Sequence, residues 1–200
     1  MANILILGAG TMGTAFSFPC SDNNHSVTVV GTHLENDFID LINLKSYHPT
    51  LECKIPKNVK FVKFGKLNEI FKKNINLIVI AVISKGIDWA SVEISKYIKN
   101  EIPILVLTKG LAIHKNKYEV LAHKIDRIFK ENGVNKNNIS AAGGPCLAKG
   151  LSNRIHTSVV FANKNIRVVD KISKLLSTDY YHVFTSDDVI GVETCAAIKN

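Results

Sequence analysis

The sequence predicts an α/β domain: an open, mostly parallel twisted sheet with helices on both faces. Three observations predict it. Continuous apolar runs such as Ile4–Leu7, Leu77–Val82 and Ile104–Leu107 read as strands buried on both sides, the habit of parallel sheets. Stretches with helical spacing lie between the runs, the alternation that parallel crossovers require. Glycines then close several runs, at Gly8 and Gly10, at Gly110, and at Gly143–Gly144.

The elements follow in order. Ala2–Gly10 is a first buried strand, Thr11–Asn23 a short helix and His25–Thr32 a β-branched second strand. Together they make one βαβ unit. Glu35–Leu44 is a polar helix. The stretch from Ser46 onward, with Pro49 and Pro56, is a loop that turns into an alternating strand over Val59–Phe64. Asn76–Val82 is the next buried strand, Trp89–Ile98 a helix and Ile102–Gly110 another strand. Tyr118–Phe129 is expected to be helical, with Leu121, Ile125 and Ile128 on one face. Asn137–Gly144 is a short strand into a glycine turn. Strands over His156–Ala162 and Tyr181–Ser186 flank a helix at Val168–Leu176. No internal repeat or low-complexity linker interrupts the pattern.

Length and composition bound the rest. Two hundred residues, 46% hydrophobic and 21% charged, fit one globular domain with at most a small appendage. The division expected is a main domain over 1–185 and the beginning of an interdomain helix over 186–200. The net charge of +8 favours anionic partners. Its lysines are dispersed, as at Lys54, Lys57, Lys60, Lys63 and Lys66, and no recognition motif or interleaved aromatics accompany them, so no nucleic-acid partner is expected. Cys20, Cys53, Cys146 and Cys195 have neither CxxC spacing nor a secretory leader beside them. No metal site or disulfide scaffold is expected, and a reducing cytoplasmic setting is. The amino-terminal apolar run lacks a basic flank and enters a glycine motif, so it reads as a strand and not a signal peptide. No run suits membrane insertion.

The motif richest in chemistry is GAGTMG, Gly8–Gly13. It follows a strand, opens a helix, and meets a second strand at the right distance, the context that marks a Rossmann-type dinucleotide site. Gly8 permits the tight turn, Gly10 lets backbone approach a pyrophosphate, and Gly13 allows close helix–strand packing. The free N–H groups of the first helical turn face the anion. After the second strand comes Gly31-Thr32-His33-Leu34-Glu35. An acid at the strand end would hold ribose hydroxyls and an arginine would select the extra phosphate of NADP. Glu35 stands a little late, His33 is a candidate for the adenine or its ribose, and the lack of arginine tilts the choice towards NAD over NADP.

A second cluster lies at expected carboxyl ends of strands: Thr108-Lys109-Gly110 and GGPCLAKG, Gly143–Gly150. Small residues there let substrate or nicotinamide come close, within reach of Gly144 and Cys146. No base marks Cys146 as a nucleophile, and a free cysteine more often packs as a small hydrophobe. The last run, TSDDVIGVETCAAIKN, carries Lys199 behind small and apolar residues. A lysine beside an alcohol that loses a hydride can take up its proton.

GAGTMGTAF at 8–16, SYHPTLECKIPKNV at 46–59, NLIVIAVIS at 76–84, LTKGL at 107–111, GGPCLAKG at 143–150 and SDDVIGVETCAAIKN at 186–200 together resemble the amino-terminal part of NAD(P)-dependent glycerol-3-phosphate dehydrogenases. The resemblance implies hydride transfer between glycerol 3-phosphate and dihydroxyacetone phosphate, with no covalent enzyme intermediate and no metal. It implies cofactor contacts at Gly8, Gly10, Thr11, Met12, Gly13, His33, Lys109 and Ala148. Substrate contacts fall on Lys109, Gly144, Cys146 and Asn200, and Lys199 matches the family's proton acceptor. It also implies a homodimer at full length and an all-helical second domain after the lysine. The present chain would stop where one domain hands over to the next, binding cofactor with little turnover. Departures are Cys146 where serine or asparagine is frequent, Gly150 where an acid is usual, Thr194 for an apolar residue, and Lys85 for a glutamine. Two alternatives stay open at this point: a dehydrogenase for a different hydroxy acid, and a non-catalytic NAD-binding module.

Overall fold

A computed structural model of the chain describes residues 1–98, 101–135 and 138–199. The first half runs β1 (Asn3–Leu7), α1 (Thr11–Asp22), β2 (Ser26–Val30), α2 (Asn36–Lys45), β3 (Tyr47–His48), β4 (Cys53–Lys54), β5 (Val59–Val62), α3 (Leu67–Phe71), β6 (Leu77–Ile80) and α4 (Ile87–Ser95). The second half runs β7 (Pro103–Val106), β8 (Leu111–His114), β9 (Lys117–Val120), α5 (Leu121–Glu131), β10 (Asn138–Gly143), α6 (Ala148–Ser152), β11 (Thr157–Ala162), α7 (Ile166–Leu176), β12 (Tyr181–Ser186) and α8 (Val189–Ile198).

Eight strands form the main sheet in the order β12-β11-β10-β7-β6-β1-β2-β5. Every neighbouring pair is parallel except β10 and β11, which run antiparallel. The alternation of side chains across the strand plane shows best in β1. Ile4 and Ile6 enter a core shared with α1, α2 and α7, while Leu5 and Leu7 enter the opposite core with α4 and α5. All four are at most 2% exposed, and each such burial stabilises by roughly 2 kcal/mol. That two-sided burial is why β1 reads as an unbroken apolar run.

The chain order reverses at β1. From β1 it moves outward through β2 to β5, then returns to the other flank with β6 and β7. Ligands of open α/β sheets bind where such a reversal leaves a crevice at the carboxyl ends of strands. The antiparallel step has a second effect. Because β11 and β12 run opposite to β10, α8 starts at the amino-terminal rim of β10 and climbs its face. Val189 packs with Ala141 and Ala162, and further along α8 Val192 and Ala196 come against Gly143. The carboxyl end of α8 thus points to the rim where β1, β6, β7 and β10 end.

Two expectations are corrected. Tyr118–Val120 is not the first turn of a helix; it belongs to β9, which pairs with β8 in a hairpin. Lys115 and Asn116 turn that hairpin with φ of 47° and 60°, the geometry of tight hairpin turns. The stretch after Ser46 is not wholly loop either, since β3 and β4 pair within it. α3, which the sequence reading left out, follows a 3-10 turn at Phe64–Lys66.

Candidate functional site: a nucleotide crevice beside a lysine-lined edge

The glycine turn sits where β1 ends. Gly8 has φ of 111°, and a Cβ there would come within 2.7 Å of the Ala81 carbonyl oxygen at the end of β6. Both facts require glycine. A Cβ on Gly13 would collide with the Gly8 carbonyl oxygen, so α1 lies directly on the turn. Gly10 differs: the nearest atom to a Cβ there is Glu35 Oε1 at 3.9 Å. The space above Gly10 is open, and the unpaired N–H groups of the first turn of α1 border it. Thr11 is exposed and Met12 half-buried. Thr14 donates from Oγ1 to the Ala9 carbonyl at 3.0 Å and holds the turn from below. This cradle, open only where an anion would enter, fits the pyrophosphate of a dinucleotide.

On the β2 side of the turn lies a cleft of about 400 Å³ whose walls include His33, Leu34, Glu35, Ile83, Lys85 and Trp89. Leu34 and Ile83 are 83% and 75% exposed, two large apolar side chains left to solvent beside one opening. The His33 ring meets Trp89 edge-on, centroids 5.0 Å apart, and Trp89 also contacts Phe64 at 4.9 Å. Apolar walls with a few polar groups suit a flat heterocycle and its sugar.

Glu35 is the site residue that the sequence reading undervalued. It stands five residues past the strand, yet its carboxylate folds back. Oε2 accepts the N–H of Thr32 at 2.6 Å and the N–H of Ala9, within the glycine turn, at 3.2 Å. Linear distance hid this, because Thr32–Glu35 forms a turn, with the Glu35 N–H donating to the Thr32 carbonyl at 3.1 Å. Trp89 was read only as the start of a helix; its being the single tryptophan was the available signal.

On the other side of β1, Met12, Lys109, Gly144 and Cys146 converge on a small cavity of about 30 Å³ that also touches Tyr181. Thr108 donates from Oγ1 to the Val82 carbonyl at 2.6 Å and ties the end of β7 to that of β6. The next residue, Lys109, is exposed, and its Nζ donates to the Gly144 carbonyl at 3.1 Å. Gly144 has φ of 121° and lies against Ser158 and Val159. Burial pushes the Cys146 thiol up, offset in part by the Lys109 charge and a bond with Thr157. A thiol held protonated is a poor nucleophile. Ala148 opens α6, and the following Lys149 pairs with Glu52 of the small hairpin at 2.5 Å.

Lys199 caps the carboxyl end of α8 and is exposed. Asp188 caps the other end, accepting the N–H of Gly191 at 2.8 Å. Asn200 lies outside the described residues. The predicted residues therefore divide into a turn (Gly8, Gly10, Thr11, Met12, Gly13), a cleft wall (His33) and an edge (Lys109, Gly144, Cys146, Ala148), with Lys199 on a helix that climbs to the same rim. Among the described residues no helix is long and apolar enough to cross a membrane.

Comparison with known proteins identifies the family and the fold. A family model described as NAD-dependent glycerol-3-phosphate dehydrogenase N-terminus matches residues 3–169. The NADP(+)-dependent glycerol-3-phosphate dehydrogenase of Archaeoglobus fulgidus is 28% identical over 200 residues, 98% of this chain and 57% of its own. The NAD(P)+ glycerol-3-phosphate dehydrogenase of Francisella tularensis subsp. novicida is 30% identical, over 99% of this chain and 57% of its own. The crystal structure of glycerol-3-phosphate dehydrogenase from Coxiella burnetii superposes with a TM-score of 0.83 at 25% identity, covering 98% of this chain and 57% of that one. The chain thus spans a little over half the length of these relatives. With its mostly parallel sheet and its glycine turn, it belongs to the NAD-dependent glycerol-3-phosphate dehydrogenase N-terminal family.

Proposed function

We propose that this chain is the cofactor-binding part of an NAD(P)-dependent oxidoreductase that interconverts glycerol 3-phosphate and dihydroxyacetone phosphate. The observation that carries the reading is the meeting of two features at one rim. The open cradle over Gly10 suits a dinucleotide, and the Lys109–Gly144 edge beside it suits a small phosphorylated alcohol. The bound nicotinamide supplies the hydride chemistry. The chain's own residues bind and orient. The turn holds the pyrophosphate on the α1 terminus, the His33–Trp89 cleft takes the adenosine end, and Ala148 lines the nicotinamide side.

Lys109 offsets negative charge on cofactor and substrate. Gly144 and Cys146 border the substrate, as would Asn200. Lys199 takes up the carbinol proton in one direction and returns it in the other. The preference within NAD(P) goes to NAD: the Glu35 carboxylate at the turn accepts from ribose hydroxyls and repels a 2′-phosphate. The active form is a cytoplasmic homodimer.

The test is a titration of the chain with NADH and NADPH, followed by an assay of dihydroxyacetone phosphate reduction. Micromolar NADH binding with little turnover is expected, because hydride transfer needs its reactants held on all sides. Absence of binding by either nucleotide would overturn the reading.

A further inference from the structure

The helix that carries Lys199 also carries a carboxylate for which the proposed reaction has no use. Glu193 is 4% exposed and is the only buried carboxylate among the described residues. Its Oε2 accepts the N–H of Ala122 at 3.0 Å, and the N–H of Leu121 also acts on it. These two residues open α5, whose N-cap, Val120, makes no side-chain cap bond. A helix start leaves N–H groups without intrahelical partners. Here the missing acceptor comes from another helix, 71 residues further along the chain.

The other contacts of α8 steer it less. Val192 and Ala196 lie against Gly143, and apolar contact is non-directional. The bond from Glu193 to α5 has a length and an angle. Lys199 lies six residues beyond Glu193, about 9 Å along the helix axis, so any slide or roll of α8 about that bond moves the amine.

We propose that Glu193 is a positioning residue: by capping α5 it fixes the height and roll of α8, and with them the place of Lys199 at the rim that carries Gly144 and Lys109. The inference rests on the reading of Lys199 given above. The anchor is also proton-sensitive. Burial pushes the Glu193 carboxyl up to about 7, against the N–H groups of Ala122 and Leu121. Among the elements around α8, β10 and β11 bring no titratable side chain. From α5 come His123 and Asp126, which line a shallow cleft with Ala122 and Val189, and Lys124, paired with Asp88. From β8 and β9 come His114, Lys117, Tyr118 and Glu119, the last paired with Arg127. Since the folded value is raised, the folded state holds the proton more tightly than the unfolded one. Glu193's net contribution to folding is then greatest at or below the ordinary carboxylate range and is lost as pH rises through about 7, because burying the ionised carboxylate costs more than its bonds to the two N–H groups return.

The test is hydrogen–deuterium exchange on the 200-residue chain between pH 5 and 8, corrected for intrinsic rates. In the unmodified chain, protection of the first turn of α5 and of α8 should fall together, by at least about tenfold across that window. Glu193→Gln, which keeps an acceptor but cannot titrate, should retain both protections and flatten the pH dependence. Glu193→Ala should lose both at every pH. Loss confined to α5, or a pH dependence that survives in Glu193→Gln, would overturn the proposal. Lys199→Met should leave both protections intact. If the lysine reading itself is wrong, the signature is different: the slow residual oxidation of NADH by dihydroxyacetone phosphate, followed at high protein concentration, would be the same in Lys199→Met as in the unmodified chain.

Discussion

The two flanks of β1 are built differently. Towards β2 the chain supplies a whole compartment of about 400 Å³ with walls from the segments that follow β2 and β6 and from Trp89 of α4. Towards β7 and β10 it supplies an edge: a cavity of about 30 Å³, one exposed lysine on a strand end and another on a helix end. The first flank can immobilise a ligand by itself, while the second presents charge and leaves the ligand's far side uncovered. On the proposed function, recognition of the nucleotide and of the phosphorylated alcohol fall on different flanks, and substitutions can probe them one at a time.

The largest effect should come from the glycine turn that both flanks share. Gly10→Val places a side chain in open space, so melting temperature should change little. NADH affinity, read by the fluorescence of the nucleotide, should fall roughly 100-fold as the cradle is blocked, about 2.7 kcal/mol. Gly13→Val is the contrast: its side chain meets the Gly8 carbonyl, so folding itself should fail. Lys109→Met probes the open flank. Calorimetry with dihydroxyacetone phosphate in the presence of NADH should show a loss of about 2 kcal/mol, the worth of a bond to a charged group. NADH alone should suffer less.

Glu35→Gln probes the closed flank, and the ratio of NADPH to NADH affinity should rise roughly tenfold, about 1.4 kcal/mol. An unchanged ratio would show that Glu35 only braces the turn. The smallest effect belongs far from both flanks. Asp22 accepts from Arg154 at 2.8 Å and from the Tyr180 hydroxyl at 2.6 Å. Burial alone would raise its carboxyl, but these partners hold it below the ordinary value. Its stabilising effect is then present above pH 3.8 and lost as pH falls through the lower folded value. Asp22→Asn should lower stability by about 1 kcal/mol near neutrality, with the difference vanishing in acid and nucleotide affinity unchanged throughout.

How much of this was legible in the sequence follows the same division. The central strands β1, β6 and β7 announce themselves because both of their faces are buried, leaving uninterrupted apolar runs. The β8–β9 hairpin did not, since its side chains are mostly outside any core; Ile113 is 74% exposed and Tyr118 82%. Its periodicity merged with that of α5. Within the site, Gly8 and Gly13 are readable because backbone geometry leaves no choice of residue. Glu35 was misjudged because its role depends on a local turn that folds the side chain back onto Ala9. Glu193 was silent because its partner lies 71 residues away and nothing local hints at the pairing.

Trp89 has one more consequence. As the sole indole of the molecule, set in a wall of the nucleotide cleft, it makes the protein its own optical sensor. Occupancy of that cleft by the adenosine end of a nucleotide should dim its emission. Events at the lysine edge should leave the signal still, so a single cuvette can tell which flank a ligand has found.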